Sequence, residues 1–389
     1  MIGRLRPLLA AAGIVLACAS APDARVSAPE TGASPGPRAE GPFLYVANQN
    51  GASVSIIDIG QRAETARVDL RTLGLGPNAK PHDTAVDPDG SHWYVTLIGE
   101  NRVLKFDRSN RLVAQVEMEV PGLVVAHPTR DLLLVGRSMT AVNPPSSIAL
   151  IRRSDMTLLD EIDVLFPRPH AMAAGRGGGW AYTASLAVNQ IAAVDLESGD
   201  VNLIDVPAAG EAPAAPVTAE PSPHDAAHAA HTLVEFAVSP DGRTMVAGGE
   251  VSGDLLVFDL TDPGAPRVVQ TVHLGGAPWH PAFTPDGRYV WVPLHRADAV
   301  AVVDASSWEV MDRIEGRGLA QPHAVAPSPD GRWMFVSNNN TEGTYAPEGD
   351  DPEAGTVVVI DPETREIVDV LEVGPNAAGI ETLPPRPRR

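Results

Sequence analysis

The chain has one cysteine, Cys18, among its 389 residues, so no disulfide within the chain can staple it together. Aromatic residues make up 5% and charged residues 20%, while 44% are apolar. That is enough to bury a sizeable core and speaks against a wholly disordered chain. Cations are scarce, with 29 Lys and Arg against 49 Asp and Glu and a formal charge of −20. No basic run occurs outside the two termini, which argues against nucleic acid as a partner, because phosphates are held by clustered Lys and Arg. An acidic surface suits solubility, small cations or basic partners. Also missing are a Gly-rich phosphate loop, a GxSxG elbow, a CxxCH haem attachment and an HExxH helix, so the strong enzyme signatures are absent.

The only long apolar run, "LLAAAGIVLA", follows Arg4 and Arg6 and is too short to span a bilayer as a mature helix, so it reads as an export leader. It leads directly into Cys18 in "VLAC", a stretch that resembles the lipobox of bacterial lipoproteins. The resemblance implies residues 1–18 as a signal peptide, Cys18 as the lipidated N-terminus, and a periplasmic or cell-surface protein held to the membrane by that anchor alone. Residues 19–41, rich in Ala, Pro, Gly and Ser, read as a flexible tether. Residues 382–389 read as a disordered basic tail, which leaves 42–381 to fold.

Self-similarity sets the fold class. "DPDGSHWYV" at Asp87, "SPDGRTMVA" at Ser239, "TPDGRYVWV" at Thr284 and "SPDGRWMFV" at Ser328 share one pattern, with weaker copies at His127 and Ala174. Pro presets φ and Gly tolerates positive φ, so each copy predicts a tight turn between antiparallel strands. A third strand follows, ending in Asp in six copies: Asp58, Asp107, Asp195, Asp259, Asp304 and Asp361. That recurrence assigns these carboxylates to turn capping. Most copies add a fourth strand, and seven can be counted. The pattern predicts an all-β, seven-bladed propeller of four-stranded antiparallel blades. The first repeat starts at its second strand and "VGPNAAGIETL" is left over at the end, so the C-terminal segment is expected to supply the inner strand of blade one.

Residues 42–381 resemble the YVTN-repeat propellers of secreted bacterial proteins, on "LYVANQNGASVSIIDIG", "PHDTAVDPDGSHWYVT" and "AVAPSPDGRWMFVSNNN". The motif itself drifts, from Tyr45-Val46-Ala47-Asn48 to Phe335-Val336-Ser337-Asn338. The resemblance implies the fold but no single activity. Resembling propellers include copper-containing nitrous-oxide reductases, haem-binding nitrite reductases and lactonases with Pro-His strands.

Three long insertions, residues 207–230, "RSMTAVNPPSS" and "NNNTEGTYAPEGDDPEAG", all fall on the face opposite the Pro-Asp-Gly turns, here called the top, where function is usually built. Aligned on their second strands, His82, His170 and His323 share one position, each after a Pro, at the start of the inner strands of blades two, four and seven. Three imidazoles then approach the axis at the channel mouth, where a three-His copper or zinc site is possible. His280 stands one residue out of register behind Trp279, and a one-residue offset turns a strand side chain to the other side unless a bulge intervenes. His224, His228 and His231 lie in the long top loop and His295 begins another, which with His280 makes five weaker candidates. Two readings stay open. The first is a lipid-anchored envelope propeller that binds a small-molecule or protein partner through its top face and channel. The second is a copper- or zinc-dependent enzyme or cofactor protein, with Asp83 or a loop histidine moving protons.

Overall fold

A computed structural model describes residues 41–208 and 229–383. Among these residues, 28 strands form seven four-stranded antiparallel sheets: a seven-bladed β-propeller. The inner strands are Ala377–Leu383 in blade one, Pro81–Val86 in two, Pro121–Ala126 in three, Pro169–Ala174 in four, Leu233–Val238 in five, Ala282–Phe283 in six and Pro322–Pro327 in seven. The leftover C-terminal segment does close the ring: Ala377–Leu383 pairs with Phe43–Asn48. It runs to Leu383, two residues beyond the expected boundary, because Leu383 is buried in the core shared by blades one and two. No helix among the described residues is long and apolar enough to cross a membrane.

The core is not central. It is divided into seven large clusters, each built from two neighbouring blades, and a small eighth around Trp279; at one of the seams Tyr45 of blade one stacks on Trp93 of blade two at 4.6 Å and Trp93 on Phe106 at 4.2 Å. An alternating strand buries one face against each neighbour, so a blade is stable only between two others. The outermost strands show the expected alternation, as in Leu112–Glu117, where half-buried and exposed residues alternate.

The repeated turns obey their residue chemistry. In "SPDG" at Ser239 the Gly242 N–H donates to Ser239 O at 2.9 Å with Gly242 at φ +74°, and the Ser239 hydroxyl accepts from Thr244 N at 3.0 Å. The third-strand carboxylates each accept from a backbone N–H two or three residues on, for example Asp58 from Gln61 and Asp361 from Glu363. Seven further residues share an unusual conformation: Lys80, Val120, Arg168, Thr232, Ala277, Gln321 and Asn376, each just before an inner-strand start or, in blade six, before the bridge at Pro278, have φ between +40° and +60°. Each carbonyl accepts an N–H from the residue that follows the second strand, as Lys80 O does from Ile98 and Gln321 O from Asn339. This left-handed step turns the chain from the top loops down into the channel.

Candidate functional site

Directly after that step, every inner strand carries one extra residue. Pro81 opposes Leu97 and Thr84 opposes Val95, so His82 and Asp83 together face Thr96. The same irregularity follows Pro169, Pro322, Pro121 and Leu233. Blade six repeats it between the Pro278–Leu294 bridge and the Ala282–Trp291 pair. A β-bulge re-aims side chains, and this one places His82, His170, Trp279 and His323 at equivalent positions around the mouth. A proline suits the first position because nothing there requires its missing N–H.

The structure brings the three aligned histidines together. The His82 ring lies 6.0 Å from His170 and 5.9 Å from His323, centre to centre. His280, expected to turn away, joins them: its ring is 4.4 Å from His323, and its backbone N–H donates to His323 O at 3.3 Å. The bulge shifts the side-chain alternation of blade six, so Trp279 and His280 both reach the cluster, and a parallel bridge from His280 to Ala324 ties blade six to blade seven. His295 is half-buried on the top side, its ring stacked on Trp279 at 3.8 Å and 9°. His231 does not enter the channel. Its Nδ1 is 2.9 Å from the Ser252 hydroxyl and its Nε2 2.7 Å from Pro207 O, so it pins the base of the long loop. His224, His228 and Cys18 lie outside the described residues.

The cluster is closed to water: His82, His170, His280 and His323 are at most 6% exposed. Burial holds the imidazoles neutral, bringing His82 to about 3 and His170 to about 4, with His280 and His323 also far below the usual range. Desolvation penalises the charged form first; neighbouring rings add to this at His82, His280 and His323, and the Arg168 charge at His170. His82 Nδ1 lies 3.3 Å from Gln49 Oε1 and His170 Nδ1 2.7 Å from Arg137 O. The Nε2 atoms of both, and Nδ1 of His323, are buried with no hydrogen-bond partner.

Two carboxylates that alignment did not single out as ligands lie one residue below the mouth. Asp83 Oδ2 accepts from Val124 N at 2.9 Å and so holds the inner strand of the following blade, while Glu235 Oε1 accepts from Met172 N at 3.2 Å and holds that of the preceding one. Burial pushes Asp83 up to about 7 and Glu235 well above the carboxylate range. Glu235 Oε2 is 4.0 Å from His280 Nδ1. A lone acid in the apolar run "LVEFAV" was the available signal for Glu235. Gly379 allows Asp83 its place, since a Cβ there would meet Asp83 Oδ1 at 2.2 Å. Above the rings, Met139 from the blade-three loop packs with Val234, Ala277 and Trp279, its carbonyl held by Arg168 at 2.6 Å.

No family model matches the chain. Over 153 residues it is 30% identical to protein NirF of Pseudomonas aeruginosa and 28% identical to NirF of Stutzerimonas stutzeri. Each match covers 37% of this chain and 36% of the relative, so it spans about a third of the curated relatives' length. Among solved structures, a functionally unknown protein from Desulfotomaculum acetoxidans superposes with a TM-score of 0.66 at 15% identity, over 88% of this chain and 99% of the other. The dihydro-heme d1 dehydrogenase NirN, solved in complex with DHE, gives 0.54 at 16% identity over 87% and 74%. Hydrazine synthase of Kuenenia stuttgartiensis gives 0.59 at 16% over 82% and 92%. At such identities these structures share the fold, and the chain stands among seven-bladed β-propellers with a partial likeness to NirF.

Proposed function

We propose that the protein is an exported, lipid-anchored propeller of the cell envelope that binds a small, flat ligand on its top face, above the imidazole cluster. The observation that carries this is the half-buried His295 ring lying parallel on Trp279, directly over buried neutral histidines. A ring pair of this kind offers a stacking surface to a conjugated ligand, and its position at the mouth of an axial channel is where propellers of this size hold ligands. His295 Nδ1 faces Pro322 O at 3.4 Å, which ties the ring to blade seven. The leader and Cys18 support export and anchoring. The fold shared with NirN and the partial likeness to NirF make an iron tetrapyrrole of the dihydro-heme d1 class the first ligand to test.

The test is a spectroscopic titration with hemin as the probe. The reading expects a saturable Soret shift at one equivalent, weakened about tenfold or more in His295→Ala, as loss of a stacked, ligating ring would weaken it by about 1.4 kcal/mol. An unshifted spectrum, or identical titrations of both proteins, overturns it. In the host cell, Cys18→Ser is expected to move the protein from the membrane fraction to the soluble one, and an unchanged distribution would remove the anchor from the reading.

A further inference from the structure

We propose that His82, His170 and His323 bind one d-block metal ion, copper or zinc, on the channel axis. The site is independent of the ligand reading and rests on three buried ring nitrogens with no partner.

The first argument is the tautomer. Gln49 Oε1 and Arg137 O are acceptors, so His82 and His170 carry their proton on Nδ1, the ring nitrogen facing them. Nε2 of each is then a bare lone pair, buried and unpaired. An imidazole whose Nδ1–H is fixed by an oxygen and whose Nε2 is left bare is prepared as metal-ligating histidines are. Leaving one buried polar atom unpaired costs about 1–3 kcal/mol. Keeping three in one cluster is unusual in a folded protein, and a single ion bound among them would satisfy them all.

Distance is the second argument. A ligand nitrogen lies about 2.0–2.1 Å from copper or zinc, so two imidazoles on one ion have ring centres roughly 5–6.5 Å apart. The separations of 6.0 Å and 5.9 Å from His82 to its two partners fall inside that range. His280 is nearer, 4.4 Å from His323 and 4.0 Å from the Glu235 carboxyl group, a place suited to orienting His323 rather than sharing the ion. Among the described residues, no group of three or more such side chains is arranged to hold an ion as the rings stand, so binding of the ion requires the rings to reorient on loading.

Chemistry selects the ion. Three neutral nitrogen donors without thiolate favour copper or zinc over magnesium or calcium, which prefer oxygen.

The experiment uses the full chain carrying Cys18→Ser and no histidine tag, stripped of metal. Zn(II) and Cu(I) are added separately against a chromophoric chelator, with no organic ligand present. One equivalent is expected to bind and to raise the melting temperature. His82→Gln and His170→Gln should each weaken binding more than about 100-fold, while His273→Gln, on the outermost strand of blade five, where its Nδ1 lies 2.8 Å from Asp254 Oδ1, leaves it unchanged. Circular dichroism of the metal-free variants separates lost binding from lost fold. Gln49→Leu keeps every imidazole and should weaken binding about 10- to 100-fold through His82 alone. Failure to take up either ion, or uptake that survives the His82 and His170 substitutions, overturns the site.

Discussion

His127 shows how one residue type serves opposite purposes in this chain. It opens a tight turn on the bottom face, where Ser239, Thr284 and Ser328 open the equivalent turns, and its Nδ1 accepts from Thr129 N at 3.2 Å and Arg130 N at 2.9 Å. Burial first, then the Arg130 and Arg153 charges, bring it down to about 4. A proton on Nδ1 would break both hydrogen bonds. Between pH 6.5 and about 4 the unfolded chain therefore binds a proton that the folded chain refuses, so stability is lost as pH falls through that window. His127→Ser is expected to flatten the acid limb by up to about 3 kcal/mol, measured as the difference between variant and wild-type denaturation free energies at pH 7.5 and 4.5. At this scale sequence gave a partial view. His82, His170 and His323 could be found because blade alignment fixes their position on the strand. The approach of His280 could not, because a bulge changes which way a side chain faces without changing the residue pattern that announces it. Glu235 and Gln49 were hidden for a related reason: their roles depend on what the neighbouring blade brings to them.

The element that organises the site is the step into each inner strand, a left-handed residue followed by the bulge. Asn tolerates the left-handed region, whereas a β-branched residue there is strained by about 1–2 kcal/mol. Asn376 and Val120 occupy equivalent steps in blades one and three, with φ of +56° and +40°. Val120→Asn is therefore expected to stabilise the protein by about 1 kcal/mol, seen as a higher denaturant midpoint at unchanged slope. A lower midpoint would show that Val120 contributes more by packing than it loses in conformation. The turns and strands of this unit were legible because Pro, Gly and alternating apolar residues mark them locally. The step was not, since only Asn376 among its seven residues is a type that favours positive φ.

Across the whole molecule, stability resides in the seams between blades, one of the seven cores lying at each. The seam between blades seven and one includes the pairing of Phe43–Asn48 with Ala377–Leu383. Ending the chain at Asn376 would leave Phe43–Asn48 as a bare edge and open the core at Leu383. Such a chain is expected to lose its single cooperative melting transition and to self-associate, observable by calorimetry and light scattering. A monomer with an unchanged transition would show that the other six seams suffice. Ring closure was legible from the leftover strand at the C-terminus. The two-residue extension to Leu383 was not, because "TL" before a proline-rich tail carries no periodic signal.

That pairing also sets a clock. Residues 43–48 wait for a partner more than 300 residues downstream, and at about 5–20 residues per second the ribosome needs on the order of 20 to 60 s to reach it. Throughout that interval the nascent chain holds an open strand edge and an unfinished ring, so its first blade completes last.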